Sequence, residues 1–208
     1  IALVYFIFVR PRILRMGLTE EEAGMPMPGD GLVEKPSLKY AQALTIDAPK
    51  KYVWAYLIQV GYKRAGWYNL DFINRFLVKD YFYENNKSAE RIIPELQNLK
   101  QGDKVYLGPP IGLDVEELDE YRSMLLTGNE NGRYIISWSY MLKELAPEKT
   151  RLYVRWNSDL PGGFALKLFN LIITEPGGVG IQQWQMLKGI KRRAEADYKN
   201  SLADFKRD

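Results

Sequence analysis

The sequence predicts an α+β domain: a curved antiparallel sheet wrapped around a long C-terminal helix, with two short helices after the first strand. Three observations predict it. A strand-like run at 39–47 leads into two stretches with helical spacing. Five short β-like runs between 104 and 157 are separated by Gly- and Pro-bearing turn signals. Apolar residues then recur every three or four positions from Val179 to Phe205. A chain of 208 residues with 46% hydrophobic and 26% charged residues fits one folded domain, not a disordered, collagen-like or polytopic membrane protein.

The elements follow in order. Ile1 to Val9 (IALVYFIFV) is uninterrupted apolar sequence, and Arg10, Arg12 and Arg15 come directly after it. At about 1.5 Å per residue this run reaches roughly half-way through a bilayer's hydrocarbon core. Residues 1–16 therefore read as the end of a membrane anchor, with the domain on the cytoplasmic side by the positive-inside rule. The alternative is a buried or pairing strand, for which Val4, Tyr5, Phe6, Ile7 and Val9 are equally suited.

Residues 17–38 read as an arm. Thr19-Glu20-Glu21-Glu22 has capping-box spacing, and Gly24 with the run Met25-Pro-Met-Pro-Gly-Asp-Gly31 ends the short helix that the box would start. The domain proper is expected over 39–208. Tyr40, Ala41, Ala43, Leu44 and Ile46 suit its first strand, and Pro49 is placed where a helix can open. From Lys50 to Val60, Val53, Trp54, Leu57 and Ile58 share one face, and Gly61 ends the helix; Leu70, Ile73, Phe76 and Leu77 mark a second helix over 70–78.

Strands are expected at 104–108, 113–118, 123–127, 134–142 and 150–157. The apolar stretch Phe164–Thr174 reads as helix, Glu175-Pro-Gly-Gly178 as a break. The last helix then carries Ile181, Trp184, Leu187, Ile190, Ala194, Tyr198, Leu202 and Phe205 as one stripe.

The chain has no His and no Cys. Ser-His-Asp and Cys-His nucleophile systems, thiolate or imidazole metal sites, and disulfides are therefore excluded, which leaves carboxylate, Lys, Tyr, Ser/Thr and Arg chemistry. A net charge of +3, with signs interspersed, gives no reason to expect a nucleic-acid partner.

The segment Leu44-Thr-Ile-Asp-Ala-Pro-Lys-Lys-Tyr-Val-Trp54 resembles the opening of the SRPBCC, or START-like, helix-grip superfamily. Gln59–Tyr68, Arg91-Ile-Ile-Pro94, Gln101-Gly-Asp103, Thr150-Arg-Leu152, Leu187–Glu195 and the arm Arg15–Ala23 resemble its polyketide-cyclase-like bacterial branch. The resemblance implies a cavity between the long helix and the concave sheet, used across that superfamily for lipids, polyketides and other apolar molecules. It carries no catalytic motif onto residues of this chain, and the fold alone does not license a reaction.

The residues themselves support an apolar pocket. With 5 Trp, 14 Tyr and 8 Phe, the chain has large rigid rings to spare for a wall, and Tyr and Trp each keep one polar handle. Strand alternation gives Trp138, Tyr140 and Leu142 a common face, and likewise Leu152, Val154 and Trp156, and together these are the expected concave side. Trp184 and Leu187 of the last helix would close it, although for any single one of these residues ordinary core is the more common role. Arg64-Ala-Gly-Trp-Tyr68 is a candidate mouth: Arg64 would pair an anionic head group while Trp67 and Tyr68 cover the apolar part. The competing reading is a turn with a solvated Arg, which Asp71 would neutralise.

Weaker signals are an acidic run at Asp114, Glu116, Glu117, Asp119 and Glu120, expected to be a solvated edge and not a metal site; Gly177-Gly-Val-Gly180, expected to be a break between helices; and the sequon Asn86-Lys-Ser88. Lys188, Lys191, Arg192, Arg193 and Lys199 give the last helix a basic side, by default solvated. The expected function is non-catalytic binding of a hydrophobic or lipid-like molecule at a membrane, with no cofactor, metal or nucleic acid. A cyclase- or dehydratase-type enzyme and a filled-core interaction scaffold are the alternatives.

Overall fold

β1 runs from Leu38 to Ile46 with Tyr40, Gln42 and Ile46 buried on alternate positions, and the chain turns through Pro49 into helix α3 (Lys50–Ile58). The computed structural model describes residues 4–72, 82–83, 87–159 and 179–205. Upstream of β1, a π-helical segment Tyr5–Val9 runs into α1 (Arg10–Leu14), so the strand reading of Val4–Val9 gives way to helix. Helix α2 (Glu20–Ala23) is opened by a complete capping box: Glu22 N donates to Thr19 Oγ1 at 3.2 Å and Thr19 N to Glu22 Oε2 at 3.0 Å.

Beyond a 3₁₀ turn at Pro94–Leu96 come β2 (Lys104–Gly108), β3 (Ile111–Asp119), β4 (Ser123–Glu130), β5 (Arg133–Ala146), β6 (Lys149–Ser158) and α4 (Val179–Phe205). The sheet has six strands in the order β1-β6-β5-β4-β3-β2, every pair antiparallel, and curls as a half-barrel around α4. This is the helix-grip architecture that the element order predicts. Most of the expected helix at 70–78, the Phe164–Thr174 helix, the break at 175–178 and Asn86 of the sequon lie outside the described residues.

Period-two alternation sorts the sheet into two faces. In register, Trp138 faces Trp156, Tyr140 faces Val154 and Leu142 faces Leu152, and all six are buried in the main core with Met186, Leu187 and Ile190 of α4. The convex face carries Ala43, Met141, Tyr153, Arg151 and Arg155, and the arm covers it. Met27, Ala43 and Tyr153 form a second small core with Leu18, Met25 and Met141. Gly17 holds the tightest point, at φ +77°, where a side chain would collide with the Ala43 carbonyl.

Two arginines fasten the arm. Arg151 donates to both Glu22 carboxylate oxygens at 3.0 and 2.7 Å, and the nearly fully buried Arg155 pairs with Asp30. The Arg151 guanidinium, aided by the Thr19 N–H and Tyr153 hydroxyl and opposed by burial, brings the Glu22 carboxyl from 4.5 down to about 2. Since the folded value is the lower one, this stabilisation is present above about pH 4.5 and is lost as pH falls toward 2. Glu22→Gln is expected to destabilise the chain by about 1.5–3 kcal/mol at neutral pH, the scale of hydrogen bonds to a charged group. Its denaturation midpoint should also fall less than that of wild type between those two pH values.

The apolar stripe of α4 is only partly buried. Leu187, Ile190 and Ala194 are in the core, but Leu202 and Phe205 are exposed, Phe205 to 83%. A 27-residue helix is about 40 Å long, whereas six strands span about 25 Å, so the last turns overrun the sheet. Among the described residues, no helix is long and apolar enough to cross a membrane.

Candidate functional site

The concave sheet and the first turns of α4 do not close on each other completely. Between them is a cavity of about 310 Å³ lined by Tyr40, Trp67, Trp138, Trp156, Leu107 and Met186, with Val179, Asn69, Gln182 and Gln183. Four aromatic rings form one continuous wall. Trp67 stacks on Trp138 at 5.0 Å, Trp138 meets Trp156 edge-on at 5.0 Å, and Trp156 lies parallel to Tyr40 at 6.1 Å. Each ring is brought there by a different constraint. Trp138 and Trp156 are cross-strand neighbours, Tyr40 is the β1 residue opposite Trp156, and Trp67 sits on a turn closed by paired backbone bonds between Gly61 and Gly66.

Polar atoms at the wall are few and mostly engaged. Gln183 Oε1 accepts from Trp138 Nε1 at 3.0 Å, Asn69 Nδ2 donates to Gln182 Oε1 at 3.4 Å, and Trp156 Nε1 donates to Ser158 Oγ at 2.9 Å. Trp67 Nε1 is a buried donor with no partner among the described residues. No charged side chain stands among the described lining residues. Burial pushes the Tyr40 phenol well above its usual range, so it remains protonated and offers a hydroxyl, not a base.

The residues singled out by sequence occupy three kinds of place. Trp67, Trp138 and Trp156 line the cavity. Tyr140, Val154 and Leu187 lie in the packed core and do not line it. Trp184 is half-buried on the flank of α4, its ring against Gly17 of the arm. Arg64 and Tyr68 are turned to other tasks. The Arg64 guanidinium donates to the carbonyls of Ile58, Val60 and Leu96 at 2.9, 3.1 and 3.2 Å, closing the C-terminal end of α3, whose last carbonyls lack helical partners. Asp71 accepts from Ser88 and leaves Arg64 alone.

Tyr68 accepts from Gln59 Nε2 at 2.6 Å and lies beneath the Arg193 guanidinium at 4.4 Å. With Arg192, Lys188 and Glu90 it borders a separate polar cleft behind the cavity. The acidic run is distributed along the sheet, with Asp114 paired to Lys104, Glu116 to Thr127 and Glu117 to Ser123.

Sequence reasoning missed Tyr40, Asn69, Leu107, Val179, Gln182, Gln183 and Met186. Tyr40 had a legible signal, an aromatic at strand alternation, but its position depends on β1 pairing with β6. The glutamines had none, because they fall between the apolar positions that identified the helix.

No family model and no curated protein matches the chain. Among solved structures it is similar to the self-sacrificing resistance protein CalC from Micromonospora echinospora, at 13% identity and a TM-score of 0.45, over 76% of this chain and 95% of that one. It is also similar to the KanY protein, at 12% identity and 0.43 over 77% and 99%. A third is CalU16 from Micromonospora echinospora, at 14% identity and 0.35 over 76% and 84%. At these identities and scores the likeness carries no functional reading, which rests on the cavity alone.

Proposed function

We propose that the chain is a helix-grip binding protein of the SRPBCC, START-like kind that holds a compact, uncharged hydrophobic molecule between α4 and the sheet, without catalysis, and that it works at a membrane. The observation that carries the binding reading is the four-ring wall of Tyr40, Trp67, Trp138 and Trp156 around about 310 Å³ of space. That volume is at the small end of the roughly 300–1,000 Å³ of small-molecule sites. It supports binding over a scaffold whose core is filled. With Arg64 held on three carbonyls and no cation among the described lining, the cavity favours a neutral ligand over the acid-headed one that the sequence suggests. The membrane reading rests on the apolar run before Arg10.

Titration with N-phenyl-1-naphthylamine, a neutral probe, should quench the Trp emission; a fatty-acid probe should do so more weakly. Val179→Trp, which fills the cavity at its rim, should weaken the neutral probe by more than about tenfold, the scale of a lost buried apolar contact. Arg64→Ala should change the two probes alike. Failure of both probes to move the emission, with no molecule retained in native mass spectra of the purified chain, would refute the reading.

A further inference from the structure

Four of the exposed large apolar side chains among the described residues lie within six positions at the N-terminal helical segment. Val4, Ile7, Phe8 and Val9 are 56, 53, 55 and 42% exposed. Directly after them come Arg10, Arg12 and Arg15, and the first nineteen residues hold no Asp or Glu. Among the described residues Arg15 has one acidic neighbour, Glu20 at 3.8 Å, and that pair is open to solvent on both sides. Exposed apolar turns followed by a collar of cations fit an anionic bilayer, with the apolar side chains in the acyl region and the guanidinium groups at the phosphates.

The same segment is joined to the cavity wall. Gln42, fully buried on β1 and on the same face as Tyr40, donates through Nε2 to the Ile13 carbonyl at 2.7 Å and to the Gly180 carbonyl at 2.9 Å. Gly180 is in the first turn of α4, between Val179 and Gln182, which line the cavity. It is packed so closely that a methyl group there would stand 2.8 Å from Ile13 Cγ2. One side chain and one close contact thus separate the exposed helix from the rim of the cavity.

We propose that residues 4–15 dock on an anionic lipid bilayer and, through the Gln42 junction, hold the β1–α4 end of the cavity against it, so that the ligand passes between membrane and cavity at contact. This presupposes the membrane reading above and adds the lipid chemistry and the orientation.

The test uses the full 208-residue chain. Sedimentation with phosphatidylcholine vesicles, with and without phosphatidylglycerol, should show binding about thirtyfold tighter to the anionic vesicles, the scale of two arginines, Arg12 and Arg15, at a charged surface. Phe8→Asp should weaken that binding more than about tenfold without shifting the thermal midpoint, because Phe8 is exposed. Arg12→Glu with Arg15→Glu should remove the preference for anionic lipid.

Naphthylamine probe preloaded in anionic vesicles should reach wild type at least about fivefold faster than it reaches Phe8→Asp, while both take the probe equally from solution. Equal sedimentation of Phe8→Asp and wild type would overturn the docking. So would a wild-type dimer that Phe8→Asp dissolves, which would assign the apolar turns to a second copy. Equal delivery rates would overturn the orientation. A chain that sediments normally but takes no probe from solution would refute the cavity reading and leave the docking standing.

Discussion

Replacing Arg193 with alanine is expected to cost about 1.5–3 kcal/mol, the scale of hydrogen bonds made by a buried charged group. Its side chain is 5% exposed. Nε donates to the Ala89 carbonyl at 2.7 Å, Nη1 to the Gly189 carbonyl at 3.1 Å and Nη2 to Glu90 at 2.9 Å, and the guanidinium plane covers the Tyr68 ring. Burial pushes this guanidinium down and Glu90 pulls it back, and it stays charged. The neighbouring Arg192 pairs with the same carboxylate but is 63% exposed, so Arg192→Ala should cost less than about 1 kcal/mol. Arg193→Lys should recover less than half of the loss, since an ammonium cannot reproduce the planar fork. Urea denaturation of the three variants checks this. A loss at Arg193 no larger than at Arg192 would show that the residue is solvated.

The second large effect is expected at Leu187. It is fully buried in the main core and does not line the cavity, so Leu187→Ala leaves a void and should cost about 2–5 kcal/mol. Trp184→Ala removes a larger side chain, yet its ring is half-buried against Gly17 at the arm. Its loss should therefore be below that of Leu187, although a fully buried Trp would give about 3–5 kcal/mol. Thermal melts rank the pair. The reverse order would place Trp184 in the core and Leu187 at its edge.

These two predictions differ from what spacing alone suggests. Helical spacing put Trp184 and Leu187 in one stripe, and Arg193 on a basic solvated side. In the fold the buried face of α4 is Gln183, Met186, Leu187, Ile190, Arg193 and Ala194. The face is rotated from the apolar stripe because two kinds of polar residue are buried there with partners: Gln183 with Trp138, and Arg193 with Glu90. A polar side chain whose partner is distant in sequence, 45 residues away for Gln183, leaves no local trace of its burial.

The candidate site was legible in part for the same reason. Trp138 and Trp156 could be placed on one face because strand alternation is a local property and antiparallel neighbours share it. Arg64 could not be placed. A cation in a Gly-bearing turn looks the same in sequence whether it meets a ligand or the open end of the preceding helix, and the Ile58 and Val60 carbonyls decided the matter.

By itself the sequence determined the element order, the capping box at Thr19, the alternation that makes one sheet face aromatic, and the long last helix, because each depends on residues within a few positions of one another. Only the tertiary structure decided that the arm straps the convex face through Arg151 and Arg155, that Tyr40 joins the aromatic wall, and that the N-terminal helix meets the cavity rim at Gln42 and Gly180. Those contacts join segments up to 138 residues apart, and which of many chemically adequate partners each group takes is set by how the whole core closes.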